Sequence, residues 1–403
     1  MGSNNELDEI YSLLSTININ KLIDIINEKK EALNISDYHL AKLLGIPKTT
    51  FYKLIENLEN GKVEDVNFFN ILKICQFFRI SLDDLSQLFV ASLSPEKVRE
   101  LNHASKANYL ISNFDLKGLK DFGFIKDDFN IDHIENKILK FFNLTSLFEY
   151  NEEIGGVLFS RTKRNSHDKM REIWVRCAYL QFKKIENPNE YEKDKLLALI
   201  PKIRPYTRYE EKGFLTVIQA LYNIGITVIV QKYLSKTQVR GGTFVIDNKP
   251  CIIITDYNKS YSTIWFALLH ELYHALYDFE ELKTWTYHLT GEAELDLFKE
   301  DMADYFAREI LFPIEKLNYV KHLISSPALV NEYAEENKVH PSIIYSFYCY
   351  EQNKKGRDYY AMYSKYFGKP DKLLKSVKTN PWDKETIFDE ITKIKSILKI
   401  EKV

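Results

Sequence analysis

The stretch Ile264-Trp-Phe-Ala-Leu-Leu269, continued by Ala275-Leu276, constrains the fold most. It reads as one helix that is apolar on most of its faces, and such a helix has to be buried. Between its two apolar pieces lies His270-Glu-Leu-Tyr-His274. Buried imidazoles need polar partners, so the surroundings of this helix must supply them. Upstream, Gly225 leads a helical stretch over about 209–223 into the β-branched run Ile226-Thr-Val-Ile-Val230. Arg240-Gly-Gly242 opens a second strand over 243–246. The turn Asp247-Asn-Lys-Pro250 then precedes a third strand, Cys251-Ile-Ile-Ile-Thr255. Helices over about 263–279 and 297–311 follow, the second stopped by Pro313. A small sheet with helices packed on it is an α+β domain.

The rest of the chain must be placed around that domain. At 403 residues it exceeds what one core usually holds. Residues up to about 89 carry short amphipathic stripes: Leu22, Ile23 and Ile26; Leu40, Leu43 and Leu44; Phe68, Ile71, Leu72 and Cys75. The middle region, to about 201, is also helical, with stripes near 134–142 and 173–182. It includes a loop signal at Gly155-Gly156 and a basic stretch, Arg161-Thr-Lys-Arg164. Lys and Arg total 55 against 57 Asp and Glu, a formal charge of −2, which excludes a bulk polycation that coats nucleic acid or membrane. Residues 1–11 show no basic or apolar leader, and no apolar run approaches membrane-spanning length. The cysteines, Cys75, Cys177, Cys251 and Cys349, lie far apart with no paired spacing, as expected for buried free thiols. A cytoplasmic, multidomain protein with no membrane partner is the expectation.

Chemistry enters with the pentad. Histidines four residues apart share one helical face, close enough to bind one tetrahedral ion, and Glu271 stands beside them to act as a base. Zinc needs a third protein ligand, and Glu280, Glu281, Glu292, Glu294, Asp296, Glu300 and Asp301 lie downstream. Glu300 is singled out because Asp304 follows it by one turn, placed to accept the free N–H of a ligating histidine. Glu294 has Phe298 at that offset and no such support. With zinc polarising the scissile carbonyl, Glu271 takes a proton from the attacking water and returns it to the leaving amine. Arg240, Tyr287, His288, Tyr305 and His340 are chemically able to face the oxyanion, and spacing does not choose among them. An extended peptide is expected to dock as an added strand on an exposed sheet edge, with 251–255 the candidate.

These segments resemble the ImmA/IrrE metallo-endopeptidases. The resemblance is carried by Trp265-Phe-Ala-Leu-Leu-His-Glu-Leu-Tyr-His-Ala-Leu276, by Glu300-Asp-Met-Ala-Asp-Tyr-Phe-Ala307 and by Ile310-Leu-Phe-Pro313. It covers roughly 204–352, about a third of the chain, and implies a zincin-like fold. It also implies His270, His274 and Glu300 as zinc ligands and Glu271 as the catalytic base. Tyr273 stands where that family usually has Gly, adding bulk near the metal, and Asp304 where it usually has Asn. Limited proteolysis of a regulatory protein, typically a transcriptional repressor, in a stress, mobile-element or defence response is the activity this implies.

Residues 37–55 resemble an XRE-type helix-turn-helix. Asp37-Tyr-His-Leu-Ala-Lys-Leu-Leu-Gly45 is the first helix, Ile46-Pro47 the turn, and Lys48-Thr-Thr-Phe-Tyr-Lys-Leu-Ile55 the recognition helix. Leu40, Ala41, Phe51 and Leu54 form its core, while Lys48, Thr49 and Lys53 sit where such helices meet bases and phosphates. Residues 1–90 carry 9 Lys/Arg and 13 Asp/Glu, a net of −4, so binding operator DNA requires dimerisation or its lysines gathered on one face. The order of segments also resembles HigA-type antitoxin regulators, with Val239-Arg-Gly-Gly-Thr243 and Val339-His-Pro-Ser-Ile-Ile344 as corresponding pieces.

The expected fold is therefore mainly α, with an N-terminal helix-turn-helix bundle (1–90), a helical spacer (91–203), an α+β zincin-like peptidase domain (204–352) and a helical tail (353–403). Its expected cofactor is Zn²⁺, and its expected partners are a protein substrate, operator DNA and a second copy of the chain. Two functions follow: a zinc endopeptidase acting on a regulator, or a DNA-binding regulator or antitoxin whose peptidase domain senses a partner. A zinc hydrolase acting on a small substrate is a third.

Overall fold

The computed structural model describes residues 22–399, apart from 61, 63–64, 92, 94, 152–165, 238, 257–259, 286 and 290–296. Gly155-Gly156, the basic stretch 161–164, Glu292, Glu294 and Asp296 lie outside the described residues. The protein is mainly α-helical with a small mixed sheet. It divides into two compact units, Met1–Ser112 and Asn113–Val403.

The first unit is a helical bundle of α1 (Leu22–Ala32), α2 (Asp37–Leu43), α3 (Lys48–Glu59), α4 (Phe68–Phe78), α5 (Leu82–Ala91) and α6 (Pro95–Asn113). Ser36 starts α2 by accepting the His39 backbone N–H on its hydroxyl, and Asn67 caps α4 in the same way. Leu22, Ile23, Ile26, Leu40, Ala41, Phe51, Leu54 and Ile71 share one buried core. Two residues of the expected stripes turn outward: Leu43 is 65% exposed and Phe68 53%. Both sit at helix ends, where the chain leaves the periodic path that the stripe assumes.

The second unit begins with α7 (Leu116–Phe122), α8 (Ile131–Phe142), α9 (Ser166–Ile185), α10 (Lys193–Leu199) and α11 (Gly213–Tyr222). The sheet strands β1 (Thr227–Gln231), β2 (Gly241–Ile246) and β3 (Lys249–Thr255) follow, then α12 (Tyr261–Tyr277), α13 (Phe279–Trp285) and β4 (Tyr287–Leu289). The remaining elements are α14 (Leu297–Leu311), α15 (Ile314–Val320), α16 (Pro327–Glu336), α17 (Pro341–Asn353), α18 (Tyr360–Tyr363), α19 (Asp371–Val377), β5 (Lys378–Thr379) and α20 (Ile391–Leu398). The sheet order is β4-β2-β3-β1-β5, with β1 parallel to β3 and β5, and β2 antiparallel to β3 and β4. Asp247 and Asn248, both at positive φ, make the two-residue turn of the β2–β3 hairpin. Lys249 and Pro250, read from the sequence as turn, already belong to β3.

Strand β3 lies between β2 and β1, so its ladder is already occupied on both sides. The expectation that 251–255 offers a docking edge is therefore overturned. An all-apolar run such as Ile252-Ile-Ile254 marks a strand buried on both faces, and central position goes with that. Helix α12 packs on β2 and β3 on one side and on α14 and α17 on others, which accounts for its apolar circumference. Residues 353–399 pack into this unit, with β5 beside β1 and α20 against α11 and α9. All four cysteines are buried and unbridged. Among the described residues, no helix is long and apolar enough to cross a membrane.

Candidate metal centre

Helix α12 carries His270 and His274 on the face turned to α14, where Glu300 stands one turn before Asp304. Both imidazoles are buried, at 2% and 1% side-chain exposure, and Glu300 is 19% exposed. Their donor atoms converge. His270 Nε2 lies 3.2 Å from His274 Nε2 and 3.6 Å from Glu300 Oε2, and His274 Nε2 lies 3.4 Å from Glu300 Oε1. Tetrahedral donors at Zn–N distances of about 2.0–2.1 Å stand ~3.3 Å apart, close to the separations found here.

The hydrogen bonds behind the rings settle what those nitrogens offer. His270 Nδ1 is 2.8 Å from Asp304 Oδ1, and His274 Nδ1 is 2.7 Å from Asp278 Oδ2. A carboxylate accepts only, so each Nδ1 carries its proton and donates it. In the neutral rings both Nε2 atoms then present lone pairs to one another at 3.2 Å, an arrangement that calls for a cation between them. The electrostatics agree. Burial disfavours a charged His270, yet the hydrogen bonds to Asp304 and Glu300 and the charges of Glu271 and Glu300 outweigh it, so its pKa is raised. His274 shifts the same way, burial being opposed by Asp278, Glu300 and Glu271. The pocket favours positive charge, and the His270, His274 and Glu300 cluster fits a divalent ion such as Zn²⁺.

Glu271 is fully buried beside this cluster. The Thr243 hydroxyl of β2 donates to its Oε2 at 2.8 Å. A Cβ on Gly241 would fall 2.7 Å from Glu271 Oε1, so that glycine leaves the carboxylate its room. Neither Gly241, Thr243 nor Asp278 is singled out for the site by the pattern of the pentad. Signals for two of them exist in the sequence. Asp278 stands four residues after His274, the same offset that links Asp304 to Glu300. A glycine pair inside a strand marks a close approach to the backbone.

Tyr273, the bulky residue inside the pentad, packs its ring against His274 (5.6 Å between centroids), Tyr277 (4.9 Å) and Phe306 of α14 (5.7 Å). The oxyanion candidates separate. His340 caps the start of α17 and packs its ring, tilted by 50°, against Tyr261 at 4.7 Å between centroids. Tyr261 lies nine residues before His270, about 13 Å along the helix. Tyr305 is 59% exposed. Of Tyr287 and His288 only the backbone is described, paired with Phe244 and Thr243. Arg240 borders a cleft that also has Asp304 in its wall.

In the first unit, α2 and α3 meet through the turn Ile46-Pro47, as the helix-turn-helix reading requires. Phe51, Leu54, Ile55 and Leu58 of α3 point into the core, whereas Lys48, Thr49 and Lys53 are exposed on its outer face. The Lys48 ammonium rests 5.8 Å from the ring centroids of both Tyr38 and Tyr52.

Residues 26–89 match the family model of the Cro/C1-type HTH DNA-binding domain. No curated protein matches the chain. No solved structure matches it either.

Proposed function

We propose that the chain is a zinc-dependent metallo-endopeptidase that cleaves a specific regulatory protein, a transcriptional repressor being the first candidate, and so controls gene expression in a stress, mobile-element or defence response. The observation that carries this reading is the convergence of His270, His274 and Glu300 on one point with the buried Glu271 alongside. In this reading the three residues hold the ion, and Asp304 and Asp278 fix the tautomer and orientation of the two rings. Zinc, when bound, supplies Lewis-acid polarisation of a carbonyl and lowers the pKa of water. Glu271, held by Thr243, accepts the proton of the attacking water and passes it to the leaving nitrogen. Burial of the cluster strengthens each of these interactions by excluding bulk solvent.

The test is incubation of the purified full chain with the repressor encoded beside its gene, followed by mass spectrometry of the products. Wild type should carry about one zinc per chain and cut the repressor, whereas Glu271→Gln should keep the zinc and leave it intact. Equal cutting by both proteins, or wild type purified without bound metal, overturns the reading.

A second reading has its own observation. The Cro/C1-type match over residues 26–89 and the exposed Lys48, Thr49 and Lys53 support a DNA-binding regulator or HigA-like antitoxin whose other unit senses a protein partner. The two are compatible, because operator binding would hold a protease where its repressor sits.

A further inference from the structure

A cleft of about 570 Å³ opens next to the metal cluster. Asp304, the hydrogen-bond partner of His270, lies in its wall, and so does Phe266, whose ring centroid is 6.2 Å from that of His270. The volume is within the range of sites that enclose a small ligand, roughly 300–1,000 Å³. It has room for one large side chain and part of its neighbour. Much of the lining is aromatic: Phe266 and Phe347 meet edge to face at 6.2 Å, and Tyr360 and Phe367 close another side.

Two arginines line this aromatic cleft, and they differ in what they already touch. Arg308 spreads over the rings of Phe347 and Tyr350, 5.5 and 5.1 Å from their centroids, and its Nη1 is 2.6 Å from Glu351 Oε1. Its charge is matched. Asp304 is likewise engaged, with His270. Arg240 is exposed, and among the described residues no carboxylate stands at ion-pair distance from it. Its own carbonyl accepts the Thr255 N–H at 3.0 Å, fixing the backbone just ahead of β2. A guanidinium beside low-dielectric aromatic walls attracts a carboxylate more strongly than one in open water, and its planar fork matches carboxylate geometry.

We propose that this cleft selects the substrate segment: a bulky aromatic side chain seats against Phe266 and Phe347 while Arg240 pairs with an acidic residue next to it. The assignment rests on the proteolytic reading for its purpose, and its binding chemistry stands apart from turnover. Arg240 is thereby a specificity residue for acidic, aromatic-containing peptides.

The test uses the full chain carrying Glu271→Gln and fluorescence anisotropy with labelled, end-blocked peptides that share one frame. Their centres are Glu-Phe-Glu, Lys-Phe-Lys and Glu-Ala-Glu. The Glu-Phe-Glu peptide should bind about tenfold more tightly than Lys-Phe-Lys, the scale of one charge-assisted pair. Glu-Ala-Glu should bind several-fold more weakly than Glu-Phe-Glu. Adding Arg240→Glu should invert the preference between the two charged peptides. Equal binding of all three, or a ranking that Arg240→Glu leaves unchanged, overturns the proposal. An oxyanion role for Arg240 would instead slow cleavage of every peptide and leave the binding order alone. If the ranking and its inversion appear and wild-type protein cuts neither these peptides nor any repressor, the proteolytic reading falls and the cleft stands. If wild type cuts without charge preference, the cleft proposal alone falls.

Discussion

Asp278 and Asp304 do the same job from different elements: each accepts the Nδ1 proton of one imidazole and leaves the Nε2 lone pair turned to the cluster, free to hold an ion. Removing the charge from such a partner weakens a ligand without deleting it. Asp278→Asn and Asp304→Asn should each lower zinc affinity about 10- to 100-fold, read by competition against a chromophoric chelator. Unchanged affinity in both variants would mean that the rings are oriented by packing alone. At this scale the sequence is informative where spacing carries the chemistry. The pentad places two histidines on one face, and Glu300 with Asp304 repeats a one-turn offset, so those residues meet as the pattern demands. Thr243 is illegible by the same logic, and the Gly241-Gly242 pair signals a close approach without saying to what, since both roles arise from a strand and a helix distant in sequence. No local periodicity encodes that Gly241 lies under the Glu271 carboxylate.

Elements are legible when they are long and periodic, and the helices of the candidate site follow this rule. Helix α14 ends at Leu311, ahead of the stop at Pro313, and α3 begins at Lys48, directly after Pro47. Short strands fail the same test: β4 has three residues and β5 two, too few to show alternation, and both are fixed by pairing partners far along the chain. Two predictions belong here. Gly225 joins α11 to β1 at φ +84°, and a Cβ there would stand 2.4 Å from backbone atoms of Glu190 and Tyr191 that cannot give way. Gly225→Ala should destabilise the second unit by about 2–4 kcal/mol, from left-handed strain together with overpacking, measured by denaturant unfolding of the full chain. A loss below ~1 kcal/mol would show that the backbone relaxes around the new methyl group. On α3, Lys48 and Lys53 are among few cations in a segment of net charge −4. If they neutralise phosphates, changing either to Ala should weaken operator binding across sequences and reduce the logarithmic salt slope by about 1. Titrations of the full chain against its own upstream DNA at several salt concentrations decide it, and an unaltered slope in both variants removes DNA contact through this face.

For the molecule as a whole, stability depends on ties between segments distant in sequence, and His340 carries one with a readable pH signature near neutrality. Its backbone N–H donates to Thr207 Oγ1 at 3.0 Å, its ring lies on Tyr261 at the start of α12, and its Nδ1 accepts the Ser342 N–H at the start of α17. That last bond requires an unprotonated Nδ1. The groups facing the ring are Glu210, 3.3 Å from Nε2 and itself paired with Lys372, and the Ser342 hydroxyl. Burial lowers the His340 pKa from the ordinary histidine value, and Glu210 only partly opposes this. The folded state therefore resists the proton that the unfolded chain takes up below about pH 6.5. Stability from His340 is full above that pH and is lost as pH falls through the folded pKa. Glu210 contributes in a lower window: its bond to Lys372 depresses its pKa below the usual glutamate range, so its share is lost only in stronger acid. Melting curves of the zinc-loaded full chain between pH 8 and 5 should show Tm falling with acidity. His340→Asn keeps a capping acceptor without a titrating group and should flatten that fall. Parallel curves for the two proteins would transfer the acid sensitivity to other groups and leave His340 a cap alone.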